Sequence, residues 1–486
     1  MTSLKQKTIS GILWSFVDQF ATLGISFIVG IILARILSPK EFGLIGMITV
    51  FIAVSTTFIN SGFGSALIRK KDCSQADYST VFFFNLSAGI IFYLLLYISS
   101  PSISRYFNEE ELTLILRVLA FSLIIDALSL IQGVILAKRV DFKLQAKVSV
   151  ISTTSAGVLG ISLAYNGFGV WSLVYMQLVS RLLNTVLLWA WNKWKPSFVF
   201  SNESFKELFG FGGKLLLSGL IETIYRNIYY LIIGKYFNAT QLGYYSRADQ
   251  FNSVPSQSLT TIMSRVTYPV LAQMQEDKDR LKQSYKKMIK TIMFVSFSTM
   301  LGIAAVADSM ILSLIGEKWE QSIIYLQLLC FVGMMYPLHA LNLNILQVQG
   351  RSDLFLKLEI IKKMLAIPII IIAIVIGIKA MIIGMWVSTL IAYYLNSYWS
   401  GRFINYPMRE QVTDILPSFL LAITMALFVY IFGTLFETLH WVKLLLQILL
   451  GVSTILLFSE LLKIEPYIEL KYITINKIMN VFHGRK

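Results

Sequence analysis

Charge is scarce in this chain. Of 486 residues only 14% are Asp, Glu, Lys or Arg, while 56% are apolar and the mean hydropathy is +0.68; an ordinary soluble domain carries roughly 25% charge. That deficit excludes a water-soluble globular protein, and no stretch is polar enough to house a soluble catalytic domain. Cysteine is scarcer still. Cys73 and Cys330 are the two in the chain, with no CxxC spacing and no histidine beside either, which excludes a disulfide framework and a zinc site. Ten-residue segments of alternating polarity are missing as well, so a β-barrel is excluded.

What the chain has instead is a series of apolar runs. The windows 42–68, 78–104, 148–180, 380–401 and 415–436 contain no charged residue at all, and a bilayer is crossed by about 20 residues of helix. Adding runs interrupted by one or two charges predicts an all-α polytopic membrane protein of about fourteen helices, near 10–34, 42–67, 78–101, 112–137, 146–166, 168–191, 208–233, 243–268, 288–308, 321–346, 360–378, 380–400, 415–436 and 442–462. The first run follows Lys5 and Lys7 as a signal peptide would. Its length of about 25 residues and the lack of a small-residue cleavage site make it the first span.

Basic residues orient the helices. With a cytoplasmic N-terminus, thirty Lys and Arg fall on the cytoplasmic side and seven on the other (Arg35, Lys40, Arg105, Lys235, Lys318, Lys379 and Lys443). This is the positive-inside pattern, and it places both termini in the cytoplasm. The net charge of +15 is then cytoplasmic-loop charge suited to anionic membrane lipids, and nucleic acid is not expected as a partner. The basic run 278–290 reads as a solvated face.

Five arginines remain inside the expected spans: Arg117, Arg181, Arg226, Arg247 and Arg265, accompanied by Asp18, Asp126, Glu222 and Asp249. At about 2.5–3.5 kcal/mol each near a helix centre, five arginines facing lipid would cost on the order of 12–18 kcal/mol. They are therefore expected to face something wet. Arg117, Arg247 and Arg265 lie near span ends and could snorkel; Arg181 is the deepest.

Helical spacing puts Gln177, Arg181 and Asn184 on one row, Ser218, Glu222, Arg226 and Tyr229 on another, and Asp249 with Ser256 on a third. Asp18 lies in a stripe with Ser15, Thr22 and Ser26, and Asp126 in one with Ser122, Ser129 and Gly133. Polar stripes on five helices predict a shared aqueous cavity. Other readings stay open: Glu222 and Arg226 form an i,i+4 pair that neutralises itself, Asp18 and Asp126 serve as hydrogen-bonded packing groups as readily as ion-coupling ones, and His339 reads as a satisfied interior histidine before a proton carrier. Candidate hinges are Pro255 and Pro337, with Pro368, and Gly212 and Gly213 at the start of the seventh span. Around residue 235 the chain resembles itself around residue 35: Glu41-Phe42-Gly43 corresponds to Gln241-Leu242-Gly243. Six intervening helices would relate two lobes by an axis along the membrane normal.

Several stretches together resemble the Wzx-like polysaccharide transporters of the multidrug/oligosaccharidyl-lipid/polysaccharide exporter superfamily. They are Leu37-Ser38-Pro39-Lys40-Glu41-Phe42-Gly43, Asn60-Ser61-Gly62-Phe63-Gly64, Gly167-Phe168-Gly169-Val170-Trp171-Ser172, Trp194-Lys195-Pro196, Leu242-Gly243-Tyr244-Tyr245-Ser246-Arg247 and Tyr268-Pro269. The likeness covers residues 10 to about 270 well, rests on pattern to about 405, and matches the last two helices in number only. It implies two six-helix lobes (1–200 and 201–405) around a central cavity, with two extra helices and a tail (406–486).

The implied function is flipping of undecaprenyl-diphosphate-linked oligosaccharide across a bacterial inner membrane, with polysaccharide assembly proteins as partners. The lipid II flippase branch has arginine in its first helix; this chain has Asp18 there and no basic residue between Lys7 and Arg35, which disfavours lipid II as cargo. A diphosphate is matched by arginine's planar fork of donors. The expected site is cationic, Arg181 and Arg226 with Arg117 and Arg247. Asp18, Asp126, Glu222 and Asp249 pair with them or couple transport to H+ or Na+, and no other cofactor is expected. Two rivals stand: a drug or metabolite efflux antiporter, for which acids should outnumber bases in the cavity, and a membrane glycan polymerase, which needs a large outward loop that is missing here.

Overall fold

A computed structural model describes residues 4–60 and 62–472. The basic residues beyond them, Lys477, Arg485 and Lys486, lie outside the described residues, as does the side chain of Arg265. Among the described residues there are no strands. In chain order the helices are α1 (Leu4–Ile36), α2 (Pro39–Asn60), α3 (Phe63–Arg69), α4 (Gln75–Phe107), α5 (Leu112–Ala120), α6 (Ser122–Lys138), α7 (Phe142–Tyr165), α8 (Val170–Asn192), α9 (Asn202–Tyr236), α10 (Ala239–Ala272), α11 (Lys278–Leu314), α12 (Gln321–Gly333), α13 (Tyr336–Val348), α14 (Ser352–Ile376), α15 (Ile378–Ile404), α16 (Met408–Leu435) and α17 (His440–Leu461). A 3₁₀ turn, Glu317–Trp319, precedes α12.

Eleven spans among the described residues are long and apolar enough to cross a membrane, three of them formed by successive helices (Pro39–Arg69, Leu112–Lys138 and Gln321–Val348). Counted as one span, α9, whose pieces Asn202–Gly210 and Leu215–Tyr236 meet at 54°, brings the number to twelve. The two remaining expected spans are helical, as α10 and α14, without an apolar window of sufficient length. Here α10 is rich in Ser, Thr, Asn and Gln, and the first half of α14 carries Lys357, Glu359, Lys362 and Lys363. The chain is a multi-pass membrane protein.

Side-chain caps start the helices where the sequence offers them. Ser74 and Asp77 form a reciprocal capping box at α4, while Asp141, Ser201 and Asp277 accept from the backbone N–H three residues on. Each satisfies an N–H that a helix start leaves without an internal partner. Between α3 and α4, Lys70 contacts Glu207 at 2.8 Å and Asp77 at 3.1 Å; the bond to Glu207 raises its ammonium above the ordinary lysine range.

The chain forms two compact units, Met1–Ser246 and Arg247–Lys486, divided within α10. In the first, α1 lies along α7, α7 along α8, and α2 along α9, with α4, α5 and α6 packed together. In the second, α11 is central to α12, α16 and α17, and α15 packs on α13 and α14.

Three of the expected hinge residues coincide with breaks. Gly212 and Gly213 fall at the bend of α9, and Pro337 occupies the first turn of α13, just after α12 ends at Gly333. A proline is tolerated there because its missing N–H would have no intrahelical partner. Pro255 lies within α10, which continues through it as helix.

The bend of α9 packs against another break. Gly62, between α2 and α3, has φ +67°, and a Cβ there would stand 2.6 Å from the Gly212 carbonyl oxygen and 2.9 Å from Leu215 Cβ. Left-handed backbone costs a residue with a side chain about 1–2 kcal/mol, and the close approach adds to it. Gly62→Ala is therefore expected to lower the thermal denaturation temperature in detergent, while Gly210→Ala, which faces open space at the same bend, leaves it unchanged or higher.

Candidate functional site

The site is built from α8, whose sequence from Arg181 onward places side chains of hydrogen-bonding character at every turn. Arg181 Nη1 donates to Asp126 Oδ2 of α6. Thr185 Oγ1 donates to the Ile125 carbonyl at 3.2 Å, Trp189 Nε1 to the Leu128 carbonyl at 2.9 Å, and Asn192 Nδ2 to Gln132 Oε1 at 2.7 Å. Steps of four, four and three residues keep this row on one face of the helix. It fastens α8 to α6 along the half from Arg181 to Asn192, and its first rung is the Arg181–Asp126 pair.

The guanidinium has more donors than Asp126 uses. Arg181 also lines a cleft of about 370 Å³, with Gln177 of α8, Thr49 and Thr57 of α2, and Glu222, Thr223, Arg226 and Asn227 of α9; the apolar wall includes Ile45, Ile48, Ile52 and Leu119. Thr57 and Thr223 share a hydrogen bond of 3.0 Å across the α2–α9 seam, and Asn227 Nδ2 donates to the Thr223 carbonyl at 2.8 Å. The arginines thus stand among fixed hydroxyl and amide groups within helices long enough to span a membrane. Arg181 and Arg226 share the lining with Glu222, and Asp126 pairs with Arg181 and orients it from the side.

Of the residues expected from sequence, Arg181, Arg226 and Glu222 line this cleft, with Asp126 bonded to Arg181. Arg117 is engaged elsewhere: its Nε donates to Ser100 Oγ at 2.9 Å, and the guanidinium lies 4.4 Å from the centre of the Tyr97 ring. Asp18 accepts from Thr22 Oγ1 at 3.3 Å on α1, away from the cleft lining. Arg247 and Asp249 belong to α10 in the second unit. Thr49, Thr57, Thr223 and Asn227 were not anticipated. Thr223 and Asn227 follow Glu222 and Arg226 by one position each, which a row-by-row reading of α9 passes over. Among the described residues no group of three or more His, Cys, Asp or Glu could hold a metal ion.

Comparison with known proteins gives a consistent picture. The chain is 28% identical over 357 residues to teichuronic acid biosynthesis protein TuaB of Bacillus subtilis (strain 168), covering 73% of this chain and 74% of that one. To lipopolysaccharide biosynthesis protein WzxC of Escherichia coli (strain K12) it is 26% identical, with 81% and 80% covered. Its fold is that of the lipid II flippase MurJ in an inward closed conformation, with a TM-score of 0.75, 17% identity, and 93% of this chain and 98% of that one covered. A multidrug resistance MATE family transporter in an inward-facing conformation aligns with a TM-score of 0.62 at 17% identity, over 81% of this chain and 98% of that one. Residues 32–324 match the polysaccharide biosynthesis protein family, and the chain belongs to that family.

Proposed function

We propose that the protein is a flippase, and not an enzyme, that carries undecaprenyl-diphosphate-linked oligosaccharide across a bacterial inner membrane by alternating access, for assembly of a surface polysaccharide. The observation that carries this reading is the meeting of Arg181 and Arg226 in one polar cleft between membrane-spanning helices. A diphosphate cannot cross hydrocarbon unaided, because the desolvation of its charge is prohibitive. Guanidinium groups fixed among hydroxyls and amides replace its hydration, and an open side lets the prenyl chain stay in lipid. Relatives named for teichuronic acid, lipopolysaccharide and succinoglycan biosynthesis support a glycan cargo.

In this reading all fourteen helices cross the membrane, α10 and α14 being the polar ones, and both termini lie in the cytoplasm. Residues 1–200 and 201–405 form the lobes, 406–486 is an accessory segment, and transport is coupled to an ion. Anionic lipids bind the basic loops, and polysaccharide assembly proteins receive the product. The efflux reading calls for acidic groups in excess, and the cleft has none in excess: Arg181 and Arg226 meet Glu222 and the Arg181-bound Asp126. The test is reconstitution of the full chain in liposomes with fluorescent lipid-linked oligosaccharide. Label added to one leaflet should become accessible on the other at a rate proportional to protein content. Failure to move it, together with export of a cationic dye, would establish the efflux reading instead.

A further inference from the structure

One group of basic residues differs from the others in its surroundings. In the loops expected to face the cytoplasm, Lys70, Lys282, Lys286 and Lys290 each meet a carboxylate at 2.7–3.0 Å. Arg139, Lys143 and Lys147, around the turn from α6 to α7, meet none among the described residues. The one acid in that stretch, Asp141, accepts from the Leu144 N–H at 3.2 Å and caps α7. All three cations are exposed.

Rings and an amide hold them in place instead. Lys143 Nζ lies 5.7 Å from the centre of the Trp14 ring of α1, and Lys147 Nζ lies 4.7 Å from that of Trp191 of α8. Arg139 Nη1 donates at 3.3 Å to Oδ1 of Asn192, the residue after Trp191. A ring face positions an ammonium without neutralising it, so three oriented cations stay available to an anion. Indoles and snorkelling lysines are what a protein presents at the level of lipid headgroups. Beyond the cations the same face of α7 turns apolar. Ile151 is one turn on from Lys147 and Val158 two turns further, and both are exposed. A cationic head above an exposed apolar row matches the polarity of a phospholipid.

We propose that Arg139, Lys143 and Lys147 hold the phosphate of an anionic glycerophospholipid whose acyl chains lie along the Ile151–Val158 face of α7. Free phosphate would leave that face uncovered. The lipid-linked cargo is served by another side of α8, where Gln177 and Arg181 open toward α2 and α9, whereas Trp191 meets α7 through Lys147. The site gives one address to the general attraction between basic loops and anionic lipids. Because α1 packs along α7 and supplies Trp14, an occupied site also fastens α1 to the rest of the first unit.

The inference rests on the membrane orientation of the reading above and not on its cargo; lipid binding is measured without cargo, so a chain that fails to flip oligosaccharide leaves it standing. Full-length protein in detergent is melted with increasing phosphatidylglycerol, and with phosphatidylcholine in parallel. Phosphatidylglycerol should raise the wild-type melting temperature more. Lys143→Gln combined with Lys147→Gln should need about twenty- to thirtyfold more of it for half the rise, at roughly fivefold per lysine near an anionic surface. Lys143→Arg with Lys147→Arg keeps the charge and should keep the preference, which separates lost binding from faulty folding. Lys278→Gln with Arg280→Gln removes two exposed cations elsewhere and should leave the response as it is. Equal stabilisation of the wild type by both lipids, an equal loss in that control pair, or a rise reproduced by inorganic phosphate overturns the site. So does a rise with undecaprenyl diphosphate that exceeds the one with phosphatidylglycerol and is lost in the glutamine pair, which would assign these cations to the cargo.

Discussion

Arg181→Ala is expected to slow flipping of lipid-linked oligosaccharide by roughly ten- to a hundredfold, the equivalent of about 1.5–3 kcal/mol for a hydrogen bond to a charged group. Arg226→Ala should do the same, because both guanidinium groups border one cleft. Arg181→Lys should recover only part of the loss, since lysine keeps the charge and gives up the two-pronged geometry that fits a phosphate. The helix itself should survive these changes. Thr185, Trp189 and Asn192 still hold α8 to α6, but Arg181→Ala leaves Asp126 without its cation, so its melting temperature should fall below that of Arg226→Ala and rates are compared below both transitions. Asp126→Asn, which leaves Arg181 charged and less firmly oriented, should cost less than removing the arginine. Rates unchanged in both alanine variants would eliminate the cationic cleft as the diphosphate site.

The second large effect is expected at the starts of α2 and α10. A Cβ on Gly43 would stand 1.7 Å from the Ala239 carbonyl oxygen, and one on Gly243 would stand 1.9 Å from the Pro39 carbonyl oxygen. The contact is reciprocal: each helix start lays its glycine on the other's backbone. Because the obstacle is main chain and not a flexible side chain, neither alanine can be accommodated unless the two helix starts part. Overpacking of this kind costs roughly 1–3 kcal/mol. Gly43→Ala and Gly243→Ala should each lower the melting temperature and the flipping rate, and the double variant should lose less than the sum, since the first substitution already separates the pair. Gly24→Ala in α1 and Gly133→Ala in α6, where an added Cβ meets open space, serve as controls. Melting curves identical to the wild type in both clasp variants would mean that the backbones are not in contact in the membrane.

Gly43 and Gly243 also mark how far the sequence could be read. Their correspondence at an offset of 200 was visible in Glu41-Phe42-Gly43 and Gln241-Leu242-Gly243. That the two turns lie on each other was not, because a glycine needed for close approach of two backbones looks the same in sequence as one that ends a helix. Helix 9 offers the same lesson. Its length was legible from hydropathy, while the packing of its bend at Gly212 on Gly62, in the turn between α2 and α3, was not.

Composition and periodicity by themselves determined that the chain is all-helical, that it crosses a membrane many times, and that Arg181 and Arg226 lie too deep in apolar helices to be left facing lipid. These follow from local free energies of transfer, which depend on a residue and its near neighbours along the chain. Tertiary structure alone decided which buried charges share a cleft. It joined Arg181 with Arg226, gave Asp126 to Arg181, turned Arg117 onto Ser100 and Tyr97, supplied Thr57 from α2, and left His339 without a partner for Nε2. The reason is geometric: a helix's own period specifies the row a side chain occupies, but only the packing of helices distant in sequence specifies what that row faces.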